Sequence, residues 1–377
     1  ARYHRELDRI IPEIQAELAR LEGRDIGSMS DRALVGHLEA LESVLRRAAS
    51  ANILTPLLLN ALGSLLRRRM ARRGVDTEGI DFGAGEPGLD EYDPAAAVRE
   101  LAARTSELDA DTQARVRSGQ LEQVPGMDAF LEHFGHVSDS GNDFSHVPWR
   151  EDPSRLVPLL FEPDDDATGT GSANELPVDL AGPDARLARM TARYRLERER
   201  VSYTYTRGYG QFRPAVLEIA RRLVERDVLD AVDDVFYLTR SEMEAGLLEG
   251  REDLRSVAVE RREEMQRLAD VEMPEVIFGD AFEPAPASDP GHRLHGTPSS
   301  RGVARASARV VSGIGEAERV SPGDIVVIPY SDVGWTPLLA RAGGIVAEAG
   351  GLLSHSSIVA REFGIPCVVS VPGATRI

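Results

Sequence analysis

The chain of 377 residues carries 62 acidic against 44 basic side chains, a formal charge of −18, and 42% of it is hydrophobic. That length accommodates roughly two or three domains, and the acidic excess argues against a nucleic-acid partner, whose phosphates need a basic surface. There is no lysine, which excludes a Schiff base or a P-loop lysine within the chain, and the single Cys367 excludes an internal disulfide, a composition suited to the reducing cytoplasm.

In chain order, "RELDRIIPEIQAELARLEG" and "DRALVGHLEALESVLRRAA" place apolar residues at helical steps. The N-terminus has no uninterrupted apolar core, so it does not read as a signal peptide. "ILTPLLLNALGSLL", from Ile53, is too short for a bilayer and reads as a buried helix, so no membrane partner is expected. The arginine-rich run at 67–73 reads as a solvated helix end. Gly, Pro and Asp mark loops at 75–94 and 162–185, the second with a composition typical of disorder. Helical patterns return at 94–119 and 231–270.

"HFGHVSDSGNDFSH" holds His133 and His136 one helical turn apart with Asp143 and His146 nearby, a set that would suit zinc. No fixed spacing supports that. The segment reads instead as a structural loop or the wall of a substrate pocket, and no metal is expected. Arg198, Arg207 and Arg213 are expected on one helix lining that pocket, placed to stabilise charge on a transferring group.

Prolines punctuate 273–294, the composition of an extended hinge. Beyond it the chain reads as strands at 302–311, 323–329, 343–349 and 365–371 with one helix, "SSIVAREFG", among them. The expected architecture is multidomain: an all-helical substrate domain over 1–272, the linker, and a small α/β unit over 295–377 that reads as truncated at Ile377. In that unit Gly350 and Gly351 supply a tight turn, Ser354 an N-cap, and His355 stands at a helix N-terminus, where N–H groups and the dipole favour a bound anion. A neutral imidazole there is a competent nucleophile. Arg361 and Glu362 fall too far along the helix for that anion and read as structural ion pairs. Cys367 reads as a buried, inert strand residue.

"AGGIVAEAGGLLSHSSIVAREFGIPCVV" resembles the phosphohistidine segment of the phosphoenolpyruvate-utilising enzymes, and residues 295–377 resemble that family's swivelling β/β/α domain. The resemblance implies that His355 accepts and carries a phosphoryl group, supported by Gly350, Gly351 and Ser354. The helical part looks like the substrate domain of antibiotic-phosphorylating dikinases of rifampicin phosphotransferase type. There the family's Arg-Glu-x-x-Lys falls on Arg198, Glu199 and then Ser202, so the usual cation is replaced. Arg198, Ser202, Arg207, Arg213, His133 and His136 are the implied substrate-binding residues. ATP and Mg²⁺ would be bound by an ATP-grasp domain or subunit outside this chain, and the acceptor would be a small molecule with a hydroxyl. The alternatives are a non-catalytic ligand-binding module on the same scaffold, or a split system of phenylphosphate synthase type.

Overall fold

The computed structural model describes residues 2–75, 77, 82, 86–161, 180–269, 271, 293–352 and 354–376. Most of the expected hinge and the loop over 162–179 lie outside the described residues. The chain is mostly helical with one small mixed sheet, and it divides into two compact units, one drawn from 1–11, 48–207 and 290–377, the other from 12–47 and 208–289.

The helices follow from apolar spacing and capping. In α1 (Arg2–Glu22), Leu7, Ile11, Ile14, Leu18 and Leu21 recur at three- and four-residue steps, and all are buried. α2 (Asp31–Ala71) is a single helix running through Pro56, although that residue removes a backbone donor. Its middle is not the buried helix expected. Ile53 is 63% and Leu57 46% exposed, while Leu66 and Met70 pack with Leu187. Because the helix is 41 residues long and continues past both ends of the apolar run, it is also long and apolar enough to cross a membrane by length and composition, which corrects the reading from that run alone.

α3 (Pro94–Ser106) starts where Asp93 Oδ1 accepts the Ala95 N–H at 2.9 Å and Pro94 fixes the first turn. α4 (Ala110–Arg117), α5 (Met127–Phe134) and α6 (Val157–Leu160) follow, then the long α7 (Gly182–Gly210). α8 (Phe212–Glu225), α9 (Arg240–Glu249) and α10 (Leu254–Leu268) belong to the second unit. There Asp31 receives Arg222 at 2.9 Å and Arg226 at 2.6 Å, and Thr239 with Glu242 forms a capping box on α9.

In the first unit the strands are β1 (Thr297–Ser300), β2 (Ala308–Val310), β3 (Ile325–Ile328), β4 (Gly344–Ala347) and β5 (Cys367–Val369). Their order is β1-β5-β4-β3-β2, with β1 antiparallel to β5 and the other pairs parallel. α11 (Thr336–Leu339) lies between β3 and β4, and α12 (His355–Phe363) connects β4 to β5. The first strand expected, 302–311, is confined to β2, while β1 arises from "TPSS", where no strand was expected. Pro298 lacks an N–H, but β1 is an edge strand and tolerates it.

One continuous core joins this sheet to the helices. Val98, Phe130, Trp149 and Leu160 are buried in the same cluster as Ile328, Trp335, Leu338 and Val369. Across it the Trp335 indole donates to the Asp139 carbonyl at 2.9 Å, and Asp332 Oδ2 accepts the Gly141 N–H at 2.9 Å. This packing sets the start of α12 beside α7.

Candidate functional site

The turn before α12 depends on one glycine. Gly350 has φ of +133°, and a Cβ there would lie 2.9 Å from Ser354 Oγ, so only glycine fits. A Cβ on Gly351 would meet open space. Ser354 occupies the N-cap with extended backbone, yet its side chain makes no cap hydrogen bond, contrary to expectation. Its Oγ lies 3.2 Å from Ser356 Oγ and donates to Ser357 Oγ at 3.0 Å, and Ser357 Oγ donates to the Gly351 carbonyl at 2.7 Å. A relay of hydroxyls replaces the cap and ties the helix back to the turn. Gly364, at φ of +68°, closes α12.

His355 is the first residue of α12, and its Nε2 lies 2.9 Å from Thr336 Oγ1. Thr336 Oγ1 also donates to the Val333 carbonyl at 2.8 Å. A hydroxyl has one hydrogen and a carbonyl only accepts, so Thr336 receives its second bond from Nε2–H. The ring is thereby held in the tautomer protonated at Nε2. Burial, with Arg198 and then Arg195 nearby, lowers its pKa from 6.5 to about 3, and the imidazole is neutral at physiological pH.

The two arginines stand on α7 and are anchored to α12. Glu362 Oε1 receives Arg198 at 2.9 Å and Glu362 Oε2 receives Arg195 at 2.7 Å, while Glu199 Oε1 pairs with both. Glu362 is therefore an ion-pair residue, as expected, and holds arginines that lie close enough to influence His355. Arg361 instead donates to the Ser299 and Leu352 carbonyls at 3.1 and 2.9 Å.

One turn further along α7, Glu199, Ser202, Tyr203 and Thr206 line a small cavity with His136 and Val333. Its volume is about 10 Å³, room for roughly one water. His136 is half-buried here with its pKa lowered to about 3, by desolvation first and then by Arg207 and Arg150. Its Nε2 lies 3.4 Å from Thr206 Oγ1, and Arg207 reaches the Tyr203 hydroxyl at 3.4 Å.

His133 serves the framework. Its Nε2 lies 2.8 Å from the Glu91 carbonyl, its Nδ1 3.2 Å from the Tyr203 hydroxyl, and the ring stacks on Tyr203 at 4.6 Å. Arg213 is not on the helix of Arg198 and Arg207. α7 ends at Gly210, and Arg213 falls on α8 in the other unit with its guanidinium 5.4 Å from the Phe236 ring centroid.

The His133, His136, Asp143 and His146 set does not gather around a point, and His146 pairs with Asp143 at 3.8 Å. Among the described residues, ligand-type atoms of His4, Asp8 and Glu197 do lie within 4.8 Å of one another, with Arg193 and Arg200 each 3.6 Å from one of the carboxylates. Those cations already offset the acidic pair.

Arg195 and Thr336 escaped the sequence reading. Arg195 stands one turn before Arg198, so helical spacing alone places them together. Thr336 carries no local signal, because its partner is 19 residues away.

Residues 320–377 match the family described as PEP-utilising enzyme, mobile domain. A rifampicin phosphotransferase of a Streptomyces species is 30% identical over 98% of this chain and 47% of its own length. The prodigiosin-synthesising transferase PigC of Serratia marcescens is 30% identical over 66% of this chain and 31% of its own length. An uncharacterised protein of Mycobacterium tuberculosis is 37% identical over 66% of this chain and 28% of its own length. The chain spans less than half the length of each of these relatives.

Proposed function

Since this chain is a member of the PEP-utilising dikinase family, of the antibiotic-dikinase type, we propose that it supplies the acceptor and phosphocarrier parts of an ATP-dependent phosphotransferase. The observation that carries this reading is the meeting of α12 and α7: His355 beside Arg195 and Arg198, with a cavity one turn further along α7.

In the transfer, the N–P bond of phosphorylated His355 breaks as an O–P bond forms to the acceptor hydroxyl. The hydroxyl proton ends on Nε2, the position in which Thr336 holds it. Arg195 and Arg198 offset the charge of the migrating group, and the closed surroundings strengthen that effect by excluding water. Loading from ATP and Mg²⁺ takes place on an ATP-grasp domain or subunit outside this chain: the β-phosphoryl group stays on His355, the γ-phosphoryl group passes to water or phosphate, and AMP leaves.

The cavity is too small for an antibiotic-sized molecule. Admission of an acceptor therefore requires Val333 and the C-terminal domain to withdraw, which is the swivelling expected of a carrier visiting two sites, with residues 273–294 as its hinge. Ser202, where the resembling dikinases carry lysine, favours an acceptor smaller than rifampicin or of different charge.

The test supplies this chain and its ATP-grasp partner with ATP labelled at the β-phosphate. Label should appear on His355, be lost in acid and kept in base, and vanish with turnover in His355→Ala. An acid-stable label, or a His355→Ala protein that turns over, overturns the reading.

A further inference from the structure

A second cavity shares no lining residue with the small one along α7. Its volume is about 490 Å³, within the roughly 300–1,000 Å³ typical of small-molecule sites. Ala95, Val98, Leu159, Leu160 and Pro337 form a buried apolar floor. Arg99, Arg117 and Arg341 supply the charge, and among the described residues no carboxylate lines the cavity. In a chain of net charge −18, three arginines facing one apolar cavity is a strong local inversion.

The arginines are held in different ways. Arg117 lies over the Phe161 ring with its guanidinium 4.1 Å from the centroid, which fixes it at the exposed rim. Arg99 has Asp93 at 3.9 Å, a long contact that leaves much of its field available. Arg341 is partly buried, and burial lowers its pKa, so its cationic form gains from an anion nearby.

We propose that this cavity binds an organic anion with one acidic head and an apolar body, the head meeting the arginines and the body covering the apolar floor. This site is distinct from the phosphoryl-acceptor cavity and does not depend on the activity proposed above. Its walls come from α3, α4 and α6 on one side and from the end of α11 on the other. A ligand there adds contacts that exist only while α11 packs against α3, so it stabilises that packing by mass action. Thr336, which holds His355, opens the same short helix, so occupancy bears on the position of the histidine.

The experiment is calorimetric titration of this chain with dodecanoate below its micelle concentration, with dodecanol and inorganic phosphate as separate probes. Dodecanoate should bind one to one, and each control at least tenfold more weakly, because each lacks one half of the chemistry. Arg117→Gln and Arg341→Gln should each weaken dodecanoate at least tenfold. Ala102→Trp, which fills the cavity from α3, should abolish binding in a protein whose circular dichroism and unfolding midpoint are unchanged. Arg117 is exposed, so its replacement tests the site without threatening the fold. Equal binding of dodecanol overturns the proposal by showing apolar adsorption alone. So does undiminished affinity in Arg117→Gln or in a folded Ala102→Trp protein.

Discussion

Thr336 Oγ1 and His355 Nε2 stand 2.9 Å apart, and because the hydroxyl's own hydrogen goes to the Val333 carbonyl, the ring must be the donor. The arrangement thus holds the histidine with its proton on Nε2 and its free lone pair on Nδ1. Thr336→Val removes the acceptor at nearly constant shape, so the tautomer protonated at Nδ1 should become populated. Nitrogen-15 shifts of the labelled ring at pH 7 measure this: the wild type should show Nε2–H dominant and the variant a mixture. An unchanged ratio would mean that something other than Thr336 fixes the ring.

Arg198 and Arg195 both depress the His355 pKa, after burial, and Glu362 grips both. Arg198→Met removes one cation while Arg195 still pairs with Glu199 and Glu362. The imidazole should then titrate at higher pH by NMR. Phosphoryl transfer should fall roughly 10²-fold, the usual cost of losing one preorganised group that stabilises transition-state charge. Loss of activity with no movement of the titration would assign Arg198 a purely structural role.

Gly350 and Gly351 are adjacent, yet replacing them should have very different effects. An alanine at 350 meets Ser354 Oγ at 2.9 Å in a backbone region disfavoured for side chains, and should cost about 1–3 kcal/mol. At 351 nothing opposes the methyl group, and the change should stay within about 0.5 kcal/mol. Urea unfolding of the two alanine variants makes the comparison, and equal losses would contradict the described turn.

His136 and His355 both have folded pKa values lowered from 6.5 to about 3, in each case chiefly by burial. The unfolded chain then binds more protons than the folded one across that interval. Their contribution to stability is present above about pH 6.5 and is lost as pH falls towards 3. Asp139, Asp332 and Glu197, whose carboxyl pKa values burial raises, act in the opposite sense at the acidic end. Unfolding midpoints should drop between pH 7 and pH 5 with net proton uptake. His136→Phe should reduce that uptake by up to one proton, and an unaltered pH slope would show that His136 is solvated.

Strands β3, β4 and β5, α12 and the turn around Gly350 were legible in the sequence because each is set by local periodicity or by one glycine, whereas β1 was not, its Thr-Pro-Ser-Ser carrying no apolar alternation. Ser354 was legible in position but not in role, since its hydroxyl turns to Ser356 and Ser357 rather than to the backbone. The helix break that separates Arg213 from Arg207 did carry local signals, Gly208 and Gly210 before it and Pro214 in the first turn of α8, which the reading of one continuous helix passed over. The grip of Glu362 on Arg198 spans 164 residues, and the contact of Asp332 with Gly141 spans 191. No local pattern encodes pairings of that separation; they follow from the apolar core that brings α3, α5 and α7 to the sheet.

The chain's one thiol belongs to Cys367, 1% exposed on β5 and hydrogen-bonded into the sheet between β1 and β4. Burial raises its pKa, so the reactive thiolate is scarce as well as inaccessible. Alkylation in the native state must therefore wait for the sheet to part, and at saturating reagent its rate equals the rate of that opening. Nature has in effect left a single stopwatch one strand in from the edge: a chemical reading of how often β1 peels from its neighbour, taken without adding any label to the protein.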